Sequence, residues 1–448
     1  GFINVGYSCT GTVVIDIPSS ISYVGTNAFQ NVGAQESSSQ TVTSVTLTID
    51  GSIDYVEAKG FYIIGNYARG NVKFTVNGYV AAAHDYAFSG IGMNSFGDVS
   101  FLINGYMNYA GAYCFSNIGS NTLSYSVMHL NVTINGNMDY LKNNCFEKCG
   151  LGITGNTNIF INGVITNMQS SCFSEAAKNS GGTVRLTING AVGYMGDCSL
   201  YYVGAGTTSV RASRVIILIN GAIKMCQSNN FRYIGVYASY GVNITIDGGI
   251  ATLGPTSFYQ TAQYSGGDAI IAIKGSIDYV ASQAFDYVGS YKTIGDTLIC
   301  IEGDLGRVDS YAFARVGLHN SASYGNGKVK IHIKGGINCV DSTYTFYQVG
   351  MFTNNDVEVI IDGSIDIIRD MWTFRELGAY TTGGIAKLTI GGHIGDLNRS
   401  AFYQAGRQMT NGNLIVSIGR GVGILGNATF HEVGFECKNT CIEIYIGG

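Results

Sequence analysis

Charged residues are scarce in this chain of 448 residues. Asp, Glu, Lys and Arg together make up 12% of it, whereas soluble domains average about 25%. The formal net charge is −5 and no basic cluster occurs, so the chain lacks the electrostatic footprint of a nucleic-acid-binding protein. It also lacks an apolar run of 18 residues, a signal-peptide pattern and a lipidation motif. We therefore expect no nucleic-acid partner and no membrane span in this segment.

Sequence patterns of enzymes and metal sites are also missing. The six His residues occupy unrelated positions, and neither His-Glu-x-x-His nor Cys-x-x-Cys occurs. Glycine pairs such as Gly266-Gly267 lack the Lys that a phosphate-binding loop carries. The sequence therefore predicts a protein that is not an enzyme and has no cofactor and no metal centre.

A repeat runs through the whole chain. Phe recurs about every 28 residues, and Gly follows four residues after nearly every Phe. Such self-similarity predicts a solenoid, in which each unit buries its apolar face only by stacking on its neighbours. Leu200 fills the one gap in the predicted core column, which consists of Phe29, Phe61, Phe88, Phe115, Phe146, Phe173, Phe231, Phe258, Phe285, Phe313, Phe346, Phe374, Phe402 and Phe430.

Each repeat contains one clear strand pattern. Counted from the residue that closes this strand, apolar side chains alternate with others at −6, −4 and −2, as in Val72, Phe74 and Val76, which is typical of a half-buried strand. Apolar residues at +2 and +5, Phe at +10 and an aliphatic residue at +13 complete the inward set, and a polar outward loop follows +14. The closing positions are 19, 51, 78, 105, 136, 163, 190, 221, 248, 275, 303, 335, 363, 392, 420 and 448.

The segment from Ile17 to Phe29 resembles the BspA-type leucine-rich repeat, and Ser276 to Phe285 and Gly303 to Phe313 follow the same pattern. The repeats here are longer, Gly replaces the family's Cys after Phe, and Asn-Gly usually replaces Pro-Ser. The resemblance implies an all-β or irregular solenoid of about 16 rungs, with one parallel β-sheet on one side and irregular return segments on the other. It also implies a surface or secreted protein that adheres to other molecules.

The ends of the sequence fall within repeats. Phe2, Val5 and Gly6 match the second half of a repeat, and Gly448 occupies a strand-closing position. Solenoids normally end in polar capping units, and neither end shows one. We expect residues 1–448 to be a single continuous array that is either a segment of a longer protein or stacks end to end on other copies.

Asparagine occupies position −1 in six successive repeats. Stacked side-chain amides can hydrogen-bond from rung to rung, and Asn-Gly tolerates the turn that ends each strand. We interpret this column as a structural ladder rather than a binding site, consisting of Asn77, Asn104, Asn135, Asn162, Asn189 and Asn220.

Apolar residues also occur where the strand faces outward, at −5 and −3. Several repeats carry polar pairs there, such as Thr46 and Thr48, as a solvated sheet does. Exposed aliphatic groups indicate either a partner surface or simple tolerance of apolar residues. We predict an assembly or partner face at Phe160, Ile216, Leu218, Ile270, Ala272 and Leu298.

The sequence does not assign a function to its eleven cysteines or to its four glycosylation sequons. Cys114, Cys145 and Cys172 fall at +9 in consecutive repeats, where a small residue beside Phe is needed; buried free thiols and a bridge between neighbouring rungs are both compatible with that spacing. Cys437 and Cys441 bracket a short loop and could pair or bind a metal. In a secreted eukaryotic protein, glycans could attach at Asn131, Asn243, Asn398 and Asn427.

Two functional hypotheses follow. The first is a non-enzymatic, extracellular or cell-surface structural protein that self-assembles into filaments or a surface layer, with other copies as its partners. The alternative is a BspA-like cell-surface adhesin that binds a host protein or glycan. A polysaccharide-active solenoid enzyme is a remote third hypothesis, because glycosidases need two neighbouring carboxylates and the recurring Asp54, Asp139, Asp278 and Asp366 lie three or more repeats apart.

Overall fold

The chain forms a parallel β-solenoid of about 28 residues per turn. The computed structural model describes residues 1–36, 42–121, 128–292, 294–319, 327–397 and 399–448. These residues contain two parallel sheets of 16 and 15 strands and no helix, so no helix of the described part could cross a membrane. The chain divides into two compact units, residues 1–221 and 222–448.

Unit 1 alternates strands of the two sheets, odd-numbered strands in sheet A and even-numbered strands in sheet B. Its strands are β1 (Gly11–Ile17), β2 (Ile21–Val24), β3 (Val42–Ile49), β4 (Ile53–Val56), β5 (Val72–Val76), β6 (Val80–Ala83), β7 (Val99–Ile103), β8 (Met107–Ala110), β9 (Leu130–Ile134), β10 (Met138–Leu141), β11 (Thr157–Ile161), β12 (Ile165–Met168), β13 (Val184–Ile188), β14 (Val192–Met195) and β15 (Val215–Ile219).

Unit 2 repeats the same alternation. Its strands are β16 (Ile223–Cys226), β17 (Val242–Ile246), β18 (Ile250–Leu253), β19 (Ala269–Ile273), β20 (Ile277–Val280), β21 (Thr297–Ile301), β22 (Leu305–Val308), β23 (Val329–Ile333), β24 (Ile337–Val340), β25 (Val357–Ile361), β26 (Ile365–Ile368), β27 (Ile385–Ile390), β28 (Ile394–Leu397), β29 (Asn413–Ile418), β30 (Val422–Leu425) and β31 (Cys441–Ile446).

The strands of sheet A match the alternating pattern of the sequence. Each residue pairs with the residue at the same repeat position in the next turn, as Val72 pairs with Val99 and Val99 with Leu130. The side chains at −6, −4 and −2 are buried in almost every turn. Because this register preserves the inward face from turn to turn, the core is one continuous column of apolar side chains within each unit.

The Phe column forms the centre of that core. Its rings stack face to face, with centroid distances of 4.6–5.5 Å in unit 1 and 4.6–5.2 Å in unit 2. Every member is buried except Phe430, which is half-buried, and Leu200 is fully buried in the same slot. The solenoid and its core, predicted from the repeat, are therefore confirmed.

The expectation of a single sheet was wrong, because the apolar pair at +2 and +5 belongs to a second sheet. In β10 and β12, for example, Met138 pairs with Ile165 and Leu141 with Met168, and both ends of each short strand point inward. The ladder skips position +3. A spacing of three between inward residues does not show the alternation that identifies a strand, so the sequence pattern concealed these four-residue strands.

The segment that follows each sheet-B strand closes the turn through residues with a left-handed backbone. In the turn that starts at Gly78 these are Tyr86, Gly90, Gly92 and Asn94, with φ between 54° and 73°. A Cβ on Gly92 would lie 2.4 Å from Cγ2 of Val99. The Gly column therefore meets two demands at once, a positive φ and close approach to the next strand. We call the surface formed by these return segments, which run from the end of each sheet-B strand to the start of the next sheet-A strand, the corkscrew face.

Candidate binding surface

The predicted partner residues do not form one apolar face. In unit 1, Phe160 lies beside Thr187, and Thr187 lies beside Leu218 on the next strand, which also carries Ile216. A polar side chain therefore separates the two apolar positions. All three apolar side chains are half-buried, since neighbouring strands of a sheet lie about 4.8 Å apart and cover one another's side chains.

The remaining three lie together in unit 2. Ile270 pairs with Leu298, and Ala272 pairs with Cys300, on the adjacent strands β19 and β21. The next strand, β23, continues the outward face with Lys330 and His332. The apolar patch is therefore two strands wide and ends at charged residues.

The six Asn residues at −1 hydrogen-bond to one another in sequence. Each side-chain NH₂ donates to the side-chain oxygen of the preceding turn over 2.5–3.0 Å, and the last acceptor is the carboxylate of Asp50. Each internal member thus donates one hydrogen bond and accepts one along the solenoid axis, which matches what a structural ladder requires.

In unit 2 the same column carries charges of alternating sign. Lys274 pairs with Asp247 at 2.7 Å, and Lys334 pairs with Glu302 at 2.9 Å. These pairs are solvent-exposed, so each contributes little to stability. The aligned repeats show this column of alternating charges, but the sequence analysis did not predict it.

A second column of side chains, at −7, caps the start of the sheet-A strands. Asn71, Asp98, Asn156, Asp268 and Asp296 each accept a hydrogen bond from the backbone N–H of the next turn, over 2.8–3.0 Å. Several of the chain's few carboxylates are therefore engaged in backbone hydrogen bonds. Sequence reasoning missed this column.

The corkscrew face of unit 2 carries a continuous row of aromatic and Arg side chains, and no continuous row of this kind occurs among the described residues of unit 1. Neighbouring members are separated by 4.1–6.3 Å between ring centroids, or between a guanidinium carbon and a ring centroid. All but His431 are half-buried, and His431 is exposed. We call this row the aromatic–arginine stripe; it comprises Arg232, Tyr233, Tyr259, Tyr287, Tyr311, Arg315, Tyr344, Tyr347, Trp372, Arg375, Tyr403 and His431.

Arg315 is held in the stripe by a buried acid. Its Nε donates to Oδ1 of Asp286 over 2.9 Å, its Nη1 donates to the hydroxyl of Tyr287 over 2.8 Å, and its guanidinium carbon lies 4.1 Å from the centroid of the Tyr287 ring. The carboxylate of Asp286 is fully buried. Burial raises the pKa of Asp286 to about 7, and the charge of Arg315 opposes that shift.

Arg375 lies among aromatic rings. Its guanidinium carbon is 5.6 Å from the ring centroids of Tyr344 and Tyr347 and 5.1 Å from that of Tyr403. Burial raises the pKa of Tyr347 to about 12, so its hydroxyl stays protonated at neutral pH. The stripe therefore presents aromatic rings, phenol groups and three guanidinium groups, of which that of Arg232 donates to Asn229 and Tyr233.

The cysteines are free thiols. Cys114, Cys145 and Cys172 are buried in consecutive turns, and burial raises the pKa of Cys145 and of Cys172 well above the usual range. Cys437 and Cys441 do not pair with each other. No group of three or more His, Cys, Asp or Glu side chains within the described ranges is arranged to hold a metal ion.

The sequon positions differ in exposure. Asn131 and Asn427 are exposed, Asn243 is half-buried, and Asn398 lies outside the described residues.

Comparison with known proteins agrees with this architecture. The family model of the BspA type leucine rich repeat region matches residues 7–189, with six copies. The resemblance read from Ile17 to Phe29 is thereby confirmed. Proteins with such repeats are often surface-associated and adhesive, and their fold is typically non-enzymatic. No curated protein and no solved structure matches the chain.

Proposed function

We propose that this chain is a non-enzymatic adhesive repeat protein of the cell surface or the extracellular space, and that the aromatic–arginine stripe is its main contact surface for a host protein or glycan. The observation that carries this proposal is the continuity of the stripe along unit 2. Tyr, Trp and Arg are the residues that contribute most to binding energy at protein interfaces, and here they are concentrated on one face.

The stripe is also rigid before any partner arrives. Tyr311 stacks on Tyr344 at 4.9 Å, and Tyr344 lies 5.2 Å from Trp372, so few rotamers remain to be fixed on binding. Ordering a flexible side chain costs about 0.5–1.5 kcal/mol at an interface. The hydrogen bond that Arg315 donates to the carboxylate of Asp286 fixes its guanidinium group in the same way. A preorganised aromatic surface of this kind favours adhesion.

The chemistry of the carboxylates supports a binding role over a catalytic one. Asp98, Asp268 and Asp296 accept backbone N–H groups at the strand starts, and Asp286 is paired with Arg315. A glycosidase needs two carboxyl groups that face each other across a substrate. These four carboxylates instead serve the backbone and the stripe.

A matched pair of double variants tests the proposal. In the stripe, Tyr311→Ala with Tyr344→Ala removes two rings stacked at 4.9 Å; in unit 1, Tyr86→Ala with Tyr113→Ala removes two rings stacked at the same distance. All four residues lie two positions before the Phe of their repeat, have a positive φ and are half-buried. The two double variants therefore disturb the fold alike, and only the first removes part of the stripe.

The assay is capture of the purified chain on arrays of immobilised extracellular-matrix proteins and glycans. We expect the wild-type chain to be captured, the stripe variant to lose about tenfold or more in affinity, and the unit 1 variant to stay within about twofold. Equal losses in both variants, or no loss in either, would show that the stripe is not the contact surface.

Self-association is a second candidate function. The six half-buried apolar side chains of the outward sheet-A face, Ile216 and Leu218 in unit 1 among them, support packing of one copy on another. Light scattering and negative-stain microscopy of the purified chain test this: filaments or higher oligomers that Leu218→Thr dissolves would support it, whereas a monomer at high concentration would exclude it.

A further inference from the structure

A groove crosses the start of four sheet-A strands in unit 2 and is lined by none of the stripe residues. It has a volume of about 220 Å³ and lies over β19, β21, β23 and β25. The apolar pair Ile270 and Leu298 forms its floor. Asp268 and Asp296 stand at one end in the first two turns, Lys328 and Lys330 follow in the third turn, and Asp356 and Glu358 form the other end in the fourth. The groove therefore combines an apolar surface with two carboxylates at one end and pairs of opposite charge at the other.

The cations are paired, but the two carboxylates at the other end are not. Lys328 pairs with Asp356 at 3.0 Å, and Lys330 pairs with Glu358 at 3.3 Å. Among the described residues neither Asp268 nor Asp296 makes an ion pair. Each uses one carboxylate oxygen to cap a backbone N–H of the next turn, and both side chains are exposed.

The buried cation Lys292 does not form an ion pair with Asp268 or Asp296 at the acidic end of the groove. Lys292 is 2% exposed, and its ammonium donates to the backbone carbonyl of Asp296 over 2.5 Å rather than to a carboxylate. Burial lowers the pKa of Lys292 to about 8. The charge of Lys292 acts on Asp268 and Asp296 through space without a hydrogen bond to either carboxylate, so the second oxygen of each carboxylate is left for a cation that enters the groove from solvent.

We propose that this groove binds a basic side chain of an extended peptide segment in a partner protein. The aliphatic stem of an Arg or Lys lies over Ile270 and Leu298, and its cationic group bonds to Asp268 and Asp296. Adjacent turns place the two carboxylates about 4.8 Å apart, a spacing that one guanidinium with its several N–H donors can bridge. An Arg-containing peptide fits both the apolar floor and the charge.

This inference rests on the proposed role as a binding protein, but it concerns a different surface and one class of partner. The two surfaces can be separated experimentally. The stripe variant Y311A/Y344A should leave binding in the groove unchanged, and a groove variant should leave stripe-dependent capture on the arrays unchanged.

The groove variant can be designed without loss of the strand caps. In unit 1, Asn71 and Asn156 occupy the same position as Asp268 and Asp296 and accept the same backbone N–H over 3.0 Å and 2.9 Å. The double variant Asp268→Asn with Asp296→Asn therefore removes two charges and keeps the hydrogen bonds. The matched control is Asp98→Asn, because Asp98 lies in the same column in unit 1 and accepts the equivalent backbone N–H of the next turn.

The probe is a fluorescein-labelled peptide of alternating Leu and Arg flanked by Ser, with a second peptide in which citrulline replaces Arg. Fluorescence anisotropy measures both with the full chain. We expect the Arg peptide to bind the wild-type chain and the Asp98→Asn control equally, and the double variant to bind about tenfold or more weakly. The citrulline peptide should bind the wild-type chain as weakly as the Arg peptide binds the double variant.

Three results would overturn the proposal. These are the absence of Arg-peptide binding to the wild-type chain at millimolar concentration, equal binding of the citrulline peptide, and equal binding by the double variant. Displacement of the peptide by millimolar Ca²⁺ at constant ionic strength would also overturn it, because the two carboxylates would then act as a metal site.

Discussion

Replacing Phe258 by Ala should open the solenoid locally in unit 2 rather than unfold it as a whole. The ring of Phe258 is fully buried, and its centroid lies 4.6 Å from that of Phe231 and 4.9 Å from that of Phe285. Each turn packs mainly on the turns directly before and after it. The cavity left by the variant therefore weakens the contacts of three turns and leaves the more distant turns intact.

The size of the effect follows from burial and stacking. Truncation of a buried Phe to Ala costs about 3–5 kcal/mol, of which the two stacked ring pairs account for about 1–3 kcal/mol. Phe258→Leu should cost less than half as much, because Leu200 fills the same column in unit 1 while fully buried. The Leu variant is therefore the matched control for loss of the ring without loss of the apolar volume.

Hydrogen exchange resolved by residue measures this prediction. In Phe258→Ala the backbone amides of β17, β19 and β21 should exchange faster, while those of β27 and β29 should be unchanged. Uniform acceleration across unit 2, or equal effects of the Ala and Leu variants, would refute the reasoning that each turn depends only on its neighbours.

Three further predictions concern single side chains. Gly92→Ala should destabilise unit 1 by about 1–3 kcal/mol in denaturant unfolding, because Gly92 has a φ of 66° and a Cβ there would meet Val99 at 2.4 Å; Ala177→Gly in the same column should be neutral or stabilising, since Ala177 has a φ of 52°. Asn135→Ala breaks hydrogen bonds to Asn104 and Asn162 and should cost about 0.5–1.5 kcal/mol, with faster exchange only in the adjacent turns. Burial lowers the pKa of His319 to about 4, below its unfolded value of about 6.5, so the neutral form is favoured on folding. The contribution of His319 to stability should therefore be complete above pH 6.5 and fall by about 3 kcal/mol between pH 6.5 and 4. Because burial raises the pKa of Asp286 to about 7 and acid therefore acts there in the opposite direction, the measurement is the difference in the free energy of unfolding between the wild-type chain and His319→Gln, and a difference that does not change with pH would contradict the assignment.

The sequence predicted the repeat, sheet A and the core column because these depend on apolar spacing alone. Alternation at −6, −4 and −2 defines the strands of sheet A, and Phe at +10 marks the column that stacks. Sheet B remained hidden, since its inward residues at +2 and +5 are three positions apart. Its strands are formed by pairing between turns, which a single repeat does not reveal.

The stripe remained hidden for a different reason. Contacts such as that of Arg375 with Tyr344 depend on the left-handed backbone of the residues two positions before and two positions after Phe, including Tyr344 itself and Trp372. Tyr and Trp rarely adopt that conformation, so local propensity gives no sign of it. Alignment of the repeats shows that Tyr and Arg accumulate at these positions in unit 2, and that signal would have marked the stripe as a candidate surface.

The exposure of the outward positions of sheet A depends on packing between strands, which the sequence pattern does not give. Alternation identifies Phe160 and Ile270 as outward-facing, but exposure depends on the neighbouring strands. Both side chains are half-buried beside their in-register partners. The groove at Asp268 and Asp296 depends likewise on which side chains four successive turns bring together.

Hydroxyl-radical footprinting of the chain while it is held by the array component that captures it most strongly tests the central claim most directly. The account predicts that Tyr311, Tyr344 and Trp372 become protected, while Tyr86 and Tyr113 on the corkscrew face of unit 1 react as in the free chain. Protection confined to unit 1 or to the outward face of sheet A, with the stripe unchanged, would contradict it.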